Sequence, residues 1–125
     1  MKSDIKPDIT IVGNKRQIEE AITNIVGNAV KYIGDEKDKK ILISLTKTDD
    51  AVELKIKDTG IGIANKDLPH IFERFYRVQD ERHENVKGTG LGLAISKRII
   101  EKYNGTIEAE SEVGKGTTIR VAFKI

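Results

Sequence analysis

The chain has 125 residues, of which 38% are hydrophobic and 34% are charged, and its formal net charge is +2. This length and balance fit one soluble globular domain that is large enough to bury a core. Cysteine is absent, which excludes disulfides, thiolate metal sites and a cysteine nucleophile. No apolar run approaches the ~20 residues of a membrane-spanning helix. The charges are too evenly mixed to favour nucleic acid as a partner.

The first part of the chain predicts a strand and a long helix. Residues 9–12 (ITIV) form a short apolar run that indicates an edge strand. Between residues 15 and 33 the apolar positions recur at spacings of three and four, the pattern of an amphipathic helix of about five turns. Its predicted buried stripe consists of Ile18, Ile22, Ile25, Ala29 and Ile33.

Three polar residues share one face of that helix, beside the apolar stripe. Asn24, Asn28 and Lys31 are separated by four and then three positions, so they stack along the helix. Asparagine is a poor helix former, and two of them in mid-helix indicate either a solvated polar edge or a ligand site. Amide oxygens suit a hard cation such as Mg²⁺, and a lysine suits phosphate.

A predicted hairpin follows and ends in a carboxylate. Residues 41–45 and 51–58 predict two antiparallel strands. Apolar and charged residues alternate strictly along the second strand, and Asp58 falls in phase with the apolar set. We therefore expect its carboxylate on the buried face, where it needs hydrogen-bond donors. Gly60 and Gly62 then allow positive φ or close approach of a ligand, although a plain turn-capping aspartate is the alternative.

The next segment, residues 64–87, has no sustained period and is mostly polar after one short apolar cluster. A connection of this length inside a compact domain is typical of a functional lid. Because glycines flank it on both sides, we interpret it as a hinged lid anchored by Phe72 and Phe75. A surface helix followed by a loop is the alternative.

Residues 88–93 (GTGLGL) lead into a predicted helix that runs to about residue 103, with Leu91, Ile95 and Ile99 facing inward. Glycines at a helix start expose backbone N–H groups at the positive end of the helix dipole, which favours anions. The spacing is not the G-x-G-x-x-G of dinucleotide-binding folds, and no strand immediately precedes it. The segment is therefore a candidate phosphate site that differs from the dinucleotide-binding motif.

Two alternating segments, residues 106–112 and 117–123, predict the last two strands. Thr117 begins the second of them on its core face, so its hydroxyl is a candidate partner of Asp58 if the two strands are neighbours. An inward carboxylate, a glycine loop, an Asn-Lys face and a lid together have the chemistry that Mg-ATP requires.

Five segments, in order, resemble those of the ATP-binding catalytic domain of sensor histidine kinases in the GHKL superfamily. They are residues 24–32 (NIVGNAVKY, the asparagine box), 58–63 (DTGIGI, the first glycine box), 71–77 (IFERFYR, the phenylalanine box), 88–93 (the second glycine box) and 114–117 (GKGT, the closing glycine-threonine element). The resemblance spans nearly the whole chain, from about residue 9 to residue 125.

This resemblance implies a two-layer α/β sandwich of the Bergerat type. The expected sheet is mixed, mostly antiparallel and of about five strands, and it packs on three helices. The implied domain covers residues 1–125, with an ATP lid at about 64–87.

The resemblance also implies a site for ATP and Mg²⁺. Asn28 ligates Mg²⁺, Lys31 contacts phosphate, and Arg77 contacts the γ-phosphate, with Arg82 and Lys87 as alternatives and Arg74 as a less favoured one. Asn28, Lys31 and Arg77 are the implied catalytic residues. Asp58 binds the adenine amine, with Thr117 nearby through water, and Tyr32 lies along the nucleotide. The implied nucleotide-binding residues are Asn24, Asn28, Lys31, Tyr32, Asp58, Gly60, Gly62, Ile63, Lys87, Gly88, Thr89, Gly90, Leu91, Gly92, Leu93 and Thr117.

The implied activity is that of a protein-histidine kinase whose phosphoacceptor histidine lies outside this chain. His70 and His83 lack the acceptor context, and we expect both to face solvent. The implied partners are the dimerisation domain of the same kinase and the receiver domain of a response regulator. We expect a cytoplasmic fragment that makes no direct membrane contact. A serine kinase of the anti-sigma-factor type and a non-enzymatic nucleotide-sensing module are the alternatives.

Overall fold

The computed structural model describes five parts of the chain, and it describes the backbone alone for the first of them. These parts are residues 2–4, 14–31, 33, 40–76 and 92–124. The secondary-structure elements are β1 (Lys2–Asp4), α1 (Lys15–Lys31), β2 (Ile41–Lys47), β3 (Ala51–Asp58), a single 3₁₀ turn (Leu68–His70), α2 (Gly92–Lys102), β4 (Gly105–Glu112) and β5 (Gly116–Lys124).

The five strands form one sheet in the order β1-β2-β3-β5-β4. β1 is parallel to β2, and the other three pairs of neighbours are antiparallel. The predicted α/β sandwich with a mixed, mostly antiparallel sheet is therefore confirmed. The parallel edge strand lies at Lys2–Asp4, whereas the strand predicted at residues 9–12 falls outside the described parts. The described parts contain two α-helices, and the apolar cluster after residue 67 forms only the 3₁₀ turn and further turns.

The core lies between one face of the sheet and the two α-helices. Every second residue of β3 and β5 is buried, as the period-two pattern predicts. The α1 stripe is centred on Ala21, Ile25 and Ala29, while Ile18 and Ile22 are only partly buried at its margins. Helix α1 packs on β3 and helix α2 on β4. This packing directs the buried end of β3 toward the helical layer.

The inward face of α2 differs from the prediction. Ile99 is buried as expected, but Ile95 is exposed, and Leu91 lies outside the described residues. Ser96 is fully buried instead, and its hydroxyl donates to the carbonyl oxygen of Ala21 at 2.7 Å. The serine hydroxyl thus lies against the backbone of α1 where the two helices meet, and this hydrogen bond accounts for a polar residue in the stripe.

The predicted lid anchors behave differently from each other. Phe72 packs against the core, and the ammonium of Lys97 lies 5.7 Å from the centre of its ring. Phe75 is 69% exposed, so its prediction as an anchor is wrong. Its φ of 64° is in the left-handed region, so the backbone changes direction at this residue.

Gly27 offers a test of how α1 is stabilised. Alanine at this position is expected to raise the free energy of unfolding by about 0.5–1 kcal/mol, because glycine inside a helix costs that much in backbone entropy. An added Cβ there would have no neighbour within 4 Å. Urea denaturation would measure the change. Gly105→Ala is the control and should destabilise, because its Cβ would lie 2.8 Å from Ile100 and Phe123 atoms. Destabilisation by Gly27→Ala would contradict this account.

Candidate nucleotide-binding site

Asp58 lies at the end of β3 as a buried carboxylate, with only 4% of the residue exposed. Its Oδ1 accepts hydrogen bonds from the backbone N–H of Gly60 at 2.9 Å and from that of Thr117 at 3.2 Å. The predicted inward orientation is therefore correct. These backbone amides come from two segments of the chain, fix the direction of the carboxylate and compensate for its removal from water.

The sequence indicated the hydroxyl of Thr117 as a candidate partner of Asp58, but the structure shows the backbone N–H of Thr117 as the donor. Strands β3 and β5 are neighbours, as the prediction required. The backbone N–H of Thr117 makes the bond, while its Oγ1 lies 2.7 Å from Oγ of Ser111. The sequence pattern shows which face a side chain occupies, but it does not show which atom of a residue approaches a neighbour.

Two glycines allow the loop after β3 to lie directly on the turn between β4 and β5. Gly62 has a φ of 77°, and a Cβ there would be 2.2 Å from the carbonyl oxygen of Glu112. Gly116 has a φ of 127°, and its Cβ would be 2.0 Å from the carbonyl oxygen of Asp58. No other residue fits either position without displacing backbone. These contacts explain two glycines of the predicted motifs.

Ser111 connects the same two segments, and sequence reasoning assigned it no role. Its Oγ accepts from the N–H of Ile63 at 2.7 Å and lies 2.9 Å from the carbonyl oxygen of Gly116. The signal was present in the alternation of β4, where a hydroxyl falls in phase with Ile107 and Ala109. Ile63 itself is buried in the core.

The polar face of α1 meets the start of α2. A Cβ on Gly92 would lie 3.8 Å from Cβ of Asn24, so the first residue of α2 lies against this face. Asn28 is partly exposed one turn further along, and Lys31 is exposed at the last residue of the helix. The N-terminus of α2 and the cation at the end of α1 both favour an anion nearby.

Several predicted site residues lie outside the described parts of the chain. These are Tyr32, Arg77, Lys87, Gly88, Thr89, Gly90 and Leu91, together with the alternative Arg82 and with His83. Leu93 is described, and its side chain is buried in the core.

The described beginning of the predicted lid contains a compact polar cluster. The hydroxyl of Tyr76 donates to Oδ1 of the buried Asp67. This hydrogen bond raises the pKa of Tyr76, so the phenol still donates at neutral pH and stops donating as the pH rises through that raised value. The ring of His70 stacks on Tyr76, and its Nδ1 lies 2.6 Å from Oε2 of Glu73. His70 is partly exposed, in agreement with the expectation.

The chain belongs to the family described as histidine kinase-, DNA gyrase B- and HSP90-like ATPases, whose profile matches residues 13–125. It is 40% identical over 120 residues to the phosphate regulon sensor protein PhoR of Pseudomonas aeruginosa, covering 96% of this chain and 27% of that protein. It is 38% identical over 112 residues to the sensor histidine kinase WalK of Bacillus subtilis, covering 90% of this chain and 18% of that protein. The chain therefore spans only a minor part of these relatives.

Solved structures give the same result. The mycobacterial sensor histidine kinase MprB superposes with a TM-score of 0.77 at 28% identity, covering 91% of this chain and 74% of that one. The catalytic domain of the histidine kinase ThkA gives 0.79 at 25% identity, covering 98% and 77%. Full-length ShkA in complex with AMPPNP gives 0.75 at 28% identity, covering 94% and 23%. The predicted ATP-binding catalytic domain of the GHKL histidine-kinase type is confirmed. No helix in the described parts has the length and apolarity needed to span a membrane.

Proposed function

We propose that the chain binds Mg-ATP and donates the γ-phosphoryl group to a histidine on a separate dimerisation domain, as the catalytic part of a two-component sensor histidine kinase. The observation that supports this most strongly is the buried Asp58 carboxylate, whose Oδ1 is fixed by two backbone amides. A carboxylate held in one direction at the end of a strand is a suitable acceptor for the amino group of adenine.

The phosphate end of the site is assigned to the polar face of α1. Asn28 supplies an amide oxygen for Mg²⁺, and Lys31 supplies a positive charge for a phosphate. Among the described residues no group of three His, Asp or Glu side chains is placed to hold a metal ion. This fits a site in which Mg²⁺ is bound by one protein ligand together with the phosphates of ATP and water. Arg77 is our choice for the γ-phosphate contact.

Phosphoryl transfer depends on positioning and charge neutralisation more than on covalent chemistry from the protein. In this proposal the chain supplies both, while the acceptor histidine and its base belong to the dimerisation domain. The receiver domain of a response regulator then takes the phosphoryl group. We place this activity in the cytoplasm and in one domain over residues 1–125, with a lid at 64–87.

Asn28→Ala tests the metal part of this proposal. Loss of even an outer-shell partner costs about 10–100-fold in metal affinity, so loss of a direct ligand should weaken Mg²⁺-dependent ATP binding by at least about tenfold. Binding of ATP without Mg²⁺ should change by less than about twofold. Calorimetric titration of ATP with and without Mg²⁺ would measure both.

Thr23→Ala is the matched control, because Thr23 is an exposed polar residue on the same helix. It should leave both titrations unchanged. If Asn28→Ala binds Mg-ATP as tightly as the unmodified chain, or loses Mg²⁺-free binding to the same extent, Asn28 is not the magnesium ligand.

A further inference from the structure

We propose that Ser111 is a positioning residue that fixes the hydroxyl proton of Thr117, so that this hydroxyl accepts hydrogen bonds from a bound base and donates none to it. This inference rests on the proposed function, because it concerns which groups of a purine the site selects. The observation behind it is the set of three oxygen and nitrogen contacts around Oγ of Ser111.

Two of the three contacts have a fixed polarity. The backbone N–H of Ile63 donates to Oγ of Ser111 at 2.7 Å, and the carbonyl oxygen of Gly116, 2.9 Å away, is able only to accept. The third contact joins the hydroxyls of Ser111 and Thr117 at 2.7 Å, and either of them is able to donate. A serine hydroxyl has one proton, so it donates to the carbonyl or to the threonine, but not fully to both.

Ser111 can donate either to Thr117 or to Gly116, and only one of these arrangements places a proton in every contact. If Ser111 donates to Thr117, its oxygen faces the carbonyl oxygen of Gly116 at 2.9 Å with no proton between them, which is repulsive. If Ser111 donates to Gly116, the Thr117 hydroxyl donates to Ser111, and each of the three contacts contains one proton. The second arrangement also uses both acceptor positions of the serine oxygen, one for Ile63 and one for Thr117. The Thr117 proton is therefore directed at Ser111.

This direction determines what Thr117 offers to a ligand. Its oxygen retains acceptor capacity only, and its backbone N–H is already bonded to Asp58. An ionised carboxylate also accepts without donating. Thr117 is 6% exposed, so water does little to relieve a mismatch there. Thr117 accordingly favours a neighbour that brings protons, such as an exocyclic amine or a bridging water, and disfavours an oxygen that only accepts.

The test compares two triphosphates that differ at this one group. Adenosine triphosphate has a 6-amino group, and 6-methoxypurine riboside triphosphate has an ether oxygen there, while ring atom N1 is an acceptor in both. Ser111→Ala releases the Thr117 proton, which is then free to donate toward the ether oxygen, directly or through the bridging water. We expect the ratio of the two dissociation constants, measured by calorimetry, to shift about tenfold toward the methoxy compound. Ser111→Thr retains a hydroxyl and should restore the ratio of the unmodified chain.

A second background separates this role from a purely structural one. If Ser111 acts through Thr117, then Ser111→Ala should change the ratio by less than about twofold in a Thr117→Val chain. If Ser111 only supports the loop, both triphosphates weaken equally and the ratio stays constant in either background, which would overturn the inference. Should Ser111→Ala not fold, Ser111→Cys serves instead, because a thiol is a weaker acceptor and should shift the ratio in the same direction. An unmodified chain that binds neither triphosphate would contradict the proposed function itself.

Discussion

Asp58→Asn is expected to weaken ATP binding about 100-fold and to leave the fold intact. Asparagine keeps one oxygen, which still accepts from the N–H groups of Gly60 and Thr117. The substitution removes the negative charge and introduces an amide donor in place of an acceptor. A hydrogen bond to a charged group contributes about 1.5–3 kcal/mol, which corresponds to roughly 10–150-fold in affinity.

Calorimetric titration with ATP would measure this loss, and urea denaturation would show that the fold is retained. Asp49→Asn provides the control, because Asp49 is exposed in the turn between β2 and β3 and should not affect binding. Unchanged affinity in Asp58→Asn would mean that this carboxylate does not contact the base. A large loss of stability would mean that its charge is needed for the loop rather than for the ligand.

Gly116→Ala is expected to lower the free energy of unfolding by about 4 kcal/mol and to abolish measurable ATP binding. Two effects combine here. The φ of 127° is strained for any residue with a side chain, and the new Cβ would lie 2.0 Å from the carbonyl oxygen of Asp58. The atom it meets is backbone, so relief requires a shift of β3 against β5, and overpacking of this kind costs about 1–3 kcal/mol in addition to the strain. That shift would also move the Asp58 carboxylate.

Gly114→Ala is the matched control for this prediction. Gly114 lies two residues earlier, in the turn between β4 and β5, and also has a positive φ, 83°, but a Cβ there would have no neighbour within 4 Å. It should therefore lose only the strain of a left-handed residue, about 1–2 kcal/mol, and keep ATP binding. Urea denaturation of both variants would compare them. Equal losses would show that the close approach of Gly116 to Asp58 has no energetic consequence.

Much of the fold follows from local periodicity. The alternation along β3 correctly places Asp58 on the buried face, and the spacing in α1 correctly places Ile25 and Ala29 in the core. Such patterns identify faces because a side chain's direction depends only on its position within one element. The asparagine and glycine motifs identify the family in a similar way, because each of them is a short continuous segment that is read directly from the sequence.

The features that the sequence did not predict depend on contacts between distant segments. Ser111 has its role because Ile63 and Thr117 approach the same oxygen from two different segments. The buried face of α2 includes Ser96 rather than Ile95, because the carbonyl of Ala21 on another helix accepts its proton. Phe75 itself adopts the left-handed conformation, and its side chain is exposed. Neither a hydrogen bond between residues far apart in the sequence nor one unusual φ leaves a periodic signal in the sequence.

The most direct test of the account is transfer of label from ATP to a histidine. The chain would be mixed with γ-labelled ATP, Mg²⁺ and the helical-hairpin dimerisation domain of its kinase, with a hairpin lacking the acceptor histidine as the control. We expect label on the unmodified hairpin alone, lost in acid and retained in alkali. Label that survives acid and is lost in alkali would indicate a serine kinase and contradict the account. Binding of ATP without any transfer would contradict it as well, and would favour a nucleotide-sensing module.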